Sequence, residues 1–148
     1  MALQTFTVTD TTPVTYAENA VISFETNGEY NNPCPNSNMI VHPAGSQTIN
    51  LNRPGLYLVQ YNGTLANNTN AAGVVGAQIF VNGVAIPQAK GVETSSGAAE
   101  VVNVGINTYI RVLPSCAAID NRTTITVVNV GLEANYYLNN LLVARVSN

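Results

Sequence analysis

A chain of 148 residues is long enough to bury one domain's core, and with charged residues at only 9% and a formal charge of −3 it offers no basic surface for nucleic acid. No apolar run reaches the ~18 residues of a membrane helix, and Met1–Thr5 lacks the basic-then-apolar pattern of a signal peptide, so a soluble protein made in a cytoplasm is expected. Hydrophobic residues stand at 46%, so the missing charge is replaced by Asn, Thr, Ser and Gly, which disfavour helices and leave β-branched residues to build sheets.

In chain order, Leu3–Thr9 alternates Thr with Phe6 and Val8 and stops at Asp10-Thr11-Thr12-Pro13. Such a stretch is either an arm that pairs with another molecule or an ordinary first strand. The division adopted is an attachment segment over 1–12, with Leu3, Phe6 and Val8 as its contact residues, and a single domain over 13–148. Val14–Glu25 is a second β segment, with Val21, Ile22 and Phe24 as apolar members. Asn27–Asn38 reads as a long loop, because Asn-Gly, Asn-Asn-Pro and Cys-Pro-Asn all break regular structure. Met39–His42 is a short strand closed by Pro43, and Ser46–Leu51 brings Ile49 and Leu51 onto one face.

Pro54-Gly55 suits the centre of a type II turn. It launches a strand with Tyr57, Val59 and Tyr61 on one face and Leu58, Gln60 and Asn62 on the other, the pattern of a half-buried antiparallel strand. Ala66–Gly73 is expected as an exposed loop, and Val74–Val81 as a strand. Asn82-Gly83 is the strongest hairpin signal, since a type I′ turn needs positive φ at both central residues. The return strand Val84–Ile86 is stopped by Pro87. Ala98–Leu113 keeps a period of two over an unusual length, so it is either a very long strand or one bent at Gly105. Arg122–Val130 gives another strand. The last, Asn135–Val146, places Tyr136, Leu138, Leu142 and Val146 on one face and Tyr137, Leu141 and Val143 on the other. No helical stripe survives, and many short strands between turn signals predict an all-β antiparallel sandwich or jelly roll.

A closing strand that is apolar on both faces needs cover twice. One set fills the sandwich; Leu141 and Val143 are then expected to be covered by a subunit interface.

Chemistry finds little footing. His42, the one histidine, has no metal-ligand partner at a recognisable spacing, and the acids are dispersed. Cys34 and Cys116 are too few for a disulfide scaffold; free thiols and a single bridge both stay open. Asp120-Asn121 is one carboxylate beside an amide, a thin basis for calcium. The Asn-x-Thr triplets at Asn62, Asn67 and Asn121 are chance matches in an Asn-rich chain. No catalytic residue, metal or cofactor is expected.

Gly55-x-Tyr57-x-Val59 after Ile49-x-Leu51, the Asn82-Gly83 hairpin, and the closing Asn140-Leu141-Leu142-Val143-Ala144-Arg145-Val146 resemble the tumour necrosis factor and complement-globular-head superfamily. The likeness runs from Ile40 to Val146 and points to its bacterial and phage members, among them spore-surface collagen-like proteins and phage head fibres. The resemblance implies a TNF-like jelly roll forming a homotrimer, with Tyr57, Tyr137, Leu141 and Val143 at the interface. A Gly-X-Y stalk is missing and the sequence starts at its own Met1 without an export signal. The expectation is therefore a non-enzymatic virion protein, a capsid decoration or head fibre that contacts the major capsid protein or another virion protein. The alternative is a receptor- or glycan-binding module, with the amide-rich loops Asn27–Asn38 and Ala66–Gly73 contacting a host-surface glycan.

Overall fold

The computed structural model describes residues 4–31, 39–97, 100–114 and 123–147, the side chains of 4 and 29–31 excepted. These form eleven strands: β1 (Gln4–Asp10), β2 (Val14–Tyr16), β3 (Thr26–Asn31), β4 (Ile40–Val41), β5 (Ile49–Leu51), β6 (Gly55–Asn67), β7 (Gly73–Val81), β8 (Val84–Ser95), β9 (Val101–Val112), β10 (Thr123–Asn129) and β11 (Ala134–Ser147). One sheet has the order β3-β1-β11-β6-β9, with β2 also on β11; the other has the order β4-β5-β10-β7-β8. All the pairings are antiparallel. The all-β antiparallel sandwich read from the periodicity is the fold observed.

The core lies between the sheets. Tyr57, Val59, Tyr61 and Leu65 of β6, with Ile106 and Ile110 of β9, meet Ile49, Leu51, Val75, Ile79, Ile125 and Val127 of the second sheet. Each such side chain contributes about 1.5–3 kcal/mol on leaving water. The buried polar groups are tied down as well. Tyr136 Oη donates to Asn129 Oδ1 at 2.7 Å and lies 3.0 Å from the Gly76 carbonyl. Asn129 Nδ2 serves the carbonyls of Tyr16, Ala17 and Leu132. Tyr61 Oη donates to Asn139 Oδ1 at 2.5 Å.

Several local expectations are corrected. The segment 1–12 is no arm: β1 is an inner strand between β3 and β11, and its Phe6 and Val8 are buried in the core. Its alternation, read as a sheet edge waiting for a partner, finds both neighbours in the same chain. Leu3 lies outside the described residues. Within 14–25 only Val14–Tyr16 is a strand, plus a lone bridge from Val21 to Val128. The Asn129 amide takes the carbonyls of Tyr16 and Ala17, and Asn19 turns the chain with φ at 67°. Residues 27–31, expected as loop, belong to the edge strand β3, held by the ladder to β1, which outweighs local turn propensity. β8 does not stop at Pro87. That proline falls in the irregular stretch between the pairs Gln78↔Lys90 and Phe80↔Ala85, where no ladder N–H is required of it. β9 pairs with β6 in unbroken register from Val101 to Val112, so it is a long strand with no bend at Gly105.

Of the two turn signals one holds and one is corrected. Asn82 and Gly83 have φ of 51° and 80°, as a type I′ hairpin requires. Gly55 has φ of 150°, outside the type II turn, and begins β6 directly. A Cβ there would meet Arg145 Nε at 2.6 Å and the Ser147 carbonyl at 2.7 Å, so glycine lets β11 close over the strand start. Tyr57 Oη donates to the Arg53 carbonyl at 2.8 Å and Arg145 Nη2 to the Pro54 carbonyl at 2.5 Å, which fixes the turn from both sides.

Burial pushes the Tyr61 hydroxyl well above the ordinary tyrosine range, and the nearby Tyr136 and Tyr16 add to it. Tyr136 is raised by burial and by Tyr16. An unfolded tyrosine ionises near pH 10, while these two keep their protons in the fold. Their contribution to stability is therefore complete below about pH 10 and is lost as pH rises further. Urea unfolding between about pH 9 and 11 should show stability falling, with a shallower fall in Tyr61→Phe; an unchanged slope in that variant would refute the assignment.

Candidate functional site

The surface that stands out is the outer face of the six-stranded sheet. Register decides its members. On β6, Leu58, Gln60, Asn62 and Thr64 point away from the core because Tyr57, Val59, Tyr61 and Leu65 point into it. Opposite Leu58 stand Tyr109 of β9 and Ala144 of β11; opposite Gln60 stand Asn107 and Leu142; opposite Thr64 stand Asn103 and Leu138. Thr5, Thr7 and Thr9 continue these rows on β1.

β11 carries a bulge at Tyr137, between the pairs Tyr136↔Leu65 and Leu138↔Thr64. The inserted residue shifts the alternation by one. Tyr136 and, beyond the bulge, Leu141 and Val143 face inward, whereas Tyr137 and Leu138 are both exposed, at 42% and 39%. Tyr109 is 61% exposed, and Leu58 and Leu142 are half-buried. The result is an apolar group at each end of the face and an amide band (Asn62, Asn107, Asn140) between them.

This geometry divides the four residues expected at a subunit interface. Tyr57, Leu141 and Val143 have no exposed surface within the single chain. They are covered by the opposite sheet, not by sister copies, and their assignment to an interface is corrected. Tyr137 is on the outer face. Leu58, Tyr109, Leu138 and Leu142 share that face and were not singled out. Simple alternation in β6 and β9 points Leu58 and Tyr109 outward; nothing in the sequence marks the bulge that turns Leu138 and Leu142 the same way.

The remaining chemical candidates resolve into structural roles or fall outside the described residues. His42 is buried, with Nδ1 at 2.6 Å from Asn27 Oδ1 and Nε2 at 2.8 Å from the Ser46 carbonyl, and the rings of Phe6 and Phe24 stand 6.2 Å away. Asn27 Nδ2 in turn donates to the His42 carbonyl at 2.7 Å, which fixes the amide with its oxygen toward the ring. Neither ring nitrogen is free to act on a substrate. Cys34, Cys116 and Asp120-Asn121 lie outside the described residues. Among the described residues no three of His, Cys, Asp and Glu come together as a metal site.

Of the amide-rich loops, 27–31 is strand, 32–38 lies outside the described residues, and 66–73 shrinks to the turn between β6 and β7. Asn67, which closes β6, is buried and holds that turn through Ala71 O, Ser95 Oγ and Thr69. Asn68 bridges Glu133 and Asn135. These amides are already spent on the fold, which weakens the loop-borne glycan site.

No protein-family model matches the chain, and no curated protein matches it in sequence. Solved structures do. Eiger TNF from S. frugiperda superposes with a TM-score of 0.67 at 8% identity, over 99% of this chain and 92% of that one. Murine APRIL superposes at 0.61 and 8% identity, over 98% and 100%. PRD1 vertex protein P5 aligns at 0.47 and 15% identity, over 97% and 96%, a score too low to argue from. At such identities the shared feature is the fold, and the fold is a TNF-like jelly roll.

Replacing His42 by Ala should cost about 2–3 kcal/mol in urea unfolding, from the gap between Phe6 and Phe24 and the stranded Asn27 and Ser46 groups. A loss under about 0.5 kcal/mol, the scale of a neutral surface change, would remove the ring from the structural framework.

Proposed function

We propose that the protein is a non-enzymatic structural module that assembles as a homotrimer on the outside of a phage particle, as a capsid decoration or head fibre. The observation that carries the assembly is the outer face of the six-stranded sheet: Tyr109, Tyr137 and Leu138 exposed, with Leu58 and Leu142 half covered, on one contiguous surface. Two groups of aromatic and aliphatic side chains joined by an amide band, on a face this free of charge, have the make-up of an interface between copies. A closed symmetric assembly covers the same face on each of them.

The threefold order follows what the resemblance of the sequence to the tumour necrosis factor and complement-globular-head superfamily implies. The virion placement follows its likeness to the phage branch, together with a surface nearly free of charge. His42, bonded at both ring nitrogens, supports a role without catalysis.

Adjacent substitutions separate folding from assembly. Leu141→Asp puts a carboxylate in the core, a cost of several kcal/mol against a typical total of about 5–15. It should abolish the fold. Leu142→Asp, one residue along and opposite Gln60 on the outer face, should keep the β-sheet circular dichroism and convert trimer to monomer in light scattering. A monomeric wild type at micromolar concentration would dismiss the homotrimer. A trimer that survives both Leu142→Asp and Tyr109→Asp would move the interface elsewhere. Electron microscopy of purified particles tests the virion placement.

A further inference from the structure

Register also sorts the charged side chains along the length of the sandwich. Arg53, Arg111 and Arg145 gather where β6 begins: Arg111 pairs with Leu56, Arg145 pairs with Tyr57, and Arg53 sits just before the Pro54 carbonyl that Arg145 reaches. Glu18, Glu93, Glu100 and Glu133 gather where β6 ends. There Asn67 N donates to the Glu100 carbonyl and Asn68 N to the Glu133 carbonyl. Glu18 follows the end of β2, which pairs with Ala134. Glu93 is two residues before Ser95, whose Oγ accepts from Asn67 Nδ2. Lys90, Glu25, the buried Asp10 and Glu29, whose backbone lies in β3 between the pairs Phe6↔Tyr30 and Val8↔Asn27, fall between the two groups. The segments outside the described residues add one charge of each sign, Asp120 and Arg122.

Among the described residues no ion pair joins either group to a charge of opposite sign. There the Glu100 carboxylate accepts from serines, chiefly Ser96, and Glu133 accepts from Asn68. The hydrogen bonds from Ser96 hold the Glu100 carboxyl below the usual carboxylate range, so it is ionised at neutral pH. Arg53 and Arg111 are exposed and engage no acid among the described residues, and Arg145 is bonded to a carbonyl. Like charges held together repel, and at low salt an opposite surface relieves that repulsion. The molecule itself carries that surface at its other end.

We propose that copies of the protein associate end to end, the arginine end of one against the glutamate end of the next. Such a contact joins two different patches, so it need not close and builds a linear stack. The strands of the six-stranded sheet run from one charged end to the other, so the contact meets the outer face only at its margin, where Arg111 follows Tyr109 on β9, and leaves Leu138 and Leu142 untouched. It therefore stands apart from the proposed homotrimer, although three chains side by side would triple it. Exposed ion pairs are worth only about 0–1 kcal/mol each, and salt weakens them as the screening length falls from about 30 Å at 0.01 M to about 8 Å at 0.15 M.

The test is sedimentation velocity of the full chain at pH 7 across that salt range and a series of protein concentrations. The mass left at high salt defines the basal unit, whether one chain or three, so a failure of the homotrimer reads out separately. Wild type should grow to multiples of that unit at low salt as concentration rises. Arg53→Glu/Arg111→Glu should stay at the basal unit, as should Glu18→Lys/Glu93→Lys/Glu133→Lys, each with unchanged circular dichroism. Mixing the two reversed variants, which then present complementary ends, should restore growth. Wild type that shows no salt-sensitive growth overturns the proposal, and so does growth that persists in the arginine-reversed variant.

Discussion

The structure depends on the register of β11. This strand is paired on one side with β1 and β2 and on the other with β6, from Ala134 to Ser147, so its position fixes which residues of three neighbours face inward. Side chains alternate with a period of two, and one residue more or less exchanges the faces. With no bulge at Tyr137, an inward Tyr136 would carry Leu138, Asn140 and Leu142 into the core and expel Leu141 and Val143. With it, Leu141 pairs with Tyr61 and Val143 with Val59, all four without exposure. The neighbour makes room at the same level. β1 ends at Asp10 opposite Asn139 and β2 resumes at Val14 opposite Tyr136, with Asp10 Oδ1 accepting from Thr12 N in between. An extra residue in one strand thus sits beside a break in the next, and the ladder resumes on both sides.

That constraint separates what the sequence discloses from what it hides. The strands around Tyr57–Tyr61, Val75–Val81, Val102–Val112 and Ile125–Val127 are legible because alternation is a local property that burial enforces. The Asn82-Gly83 hairpin is legible because its backbone angles demand those residue types. The bulge is different: no glycine or proline marks it, and Asn135 to Leu142 reads as uninterrupted alternation. Assigning Leu141 and Val143 to an interface followed from carrying that alternation through Tyr137 unbroken. The same limit hid the place of β1. A short alternating segment has the same pattern at an edge as inside a sheet, and only the pairing of β3 beyond it, in a stretch written with turn residues, tells the two apart.

The abundance of amides and hydroxyls also has a structural use that composition does not announce. A sandwich of long strands ends in many carbonyl and N–H groups that cannot all be paired by the ladders. Asn129, Asn67 and Asn82 close those ends: the first caps three carbonyls on two segments, the second holds the β6–β7 turn, and the third ties the hairpin to Thr124 through N–H and hydroxyl. His42 and Asn27 do the same at the corner between β3 and β4. Among the described residues, the loop amides that look like a binding surface when read one by one are consumed in keeping the backbone satisfied, and the amides left outward are those of the sheet face.

What remains outward is of two kinds, and their physics differ. The side of the sandwich offers apolar groups at Leu58, Tyr109, Tyr137, Leu138 and Leu142; the two ends, among the described residues, offer charge of opposite sign. Burial of apolar area is insensitive to moderate salt and has no direction, so it suits a compact, closed contact along the sheet. Charge at the ends is screened by salt and has a polarity, so it suits a contact that repeats along one axis and sets which way each unit points. In a chain whose charge is as sparse as 9%, a few misplaced carboxylates among the arginines would erase that polarity. Their separation by the whole length of β6 is therefore the feature that gives the molecule an up and a down, and it requires nothing of the core beyond strands long enough to keep the two ends apart.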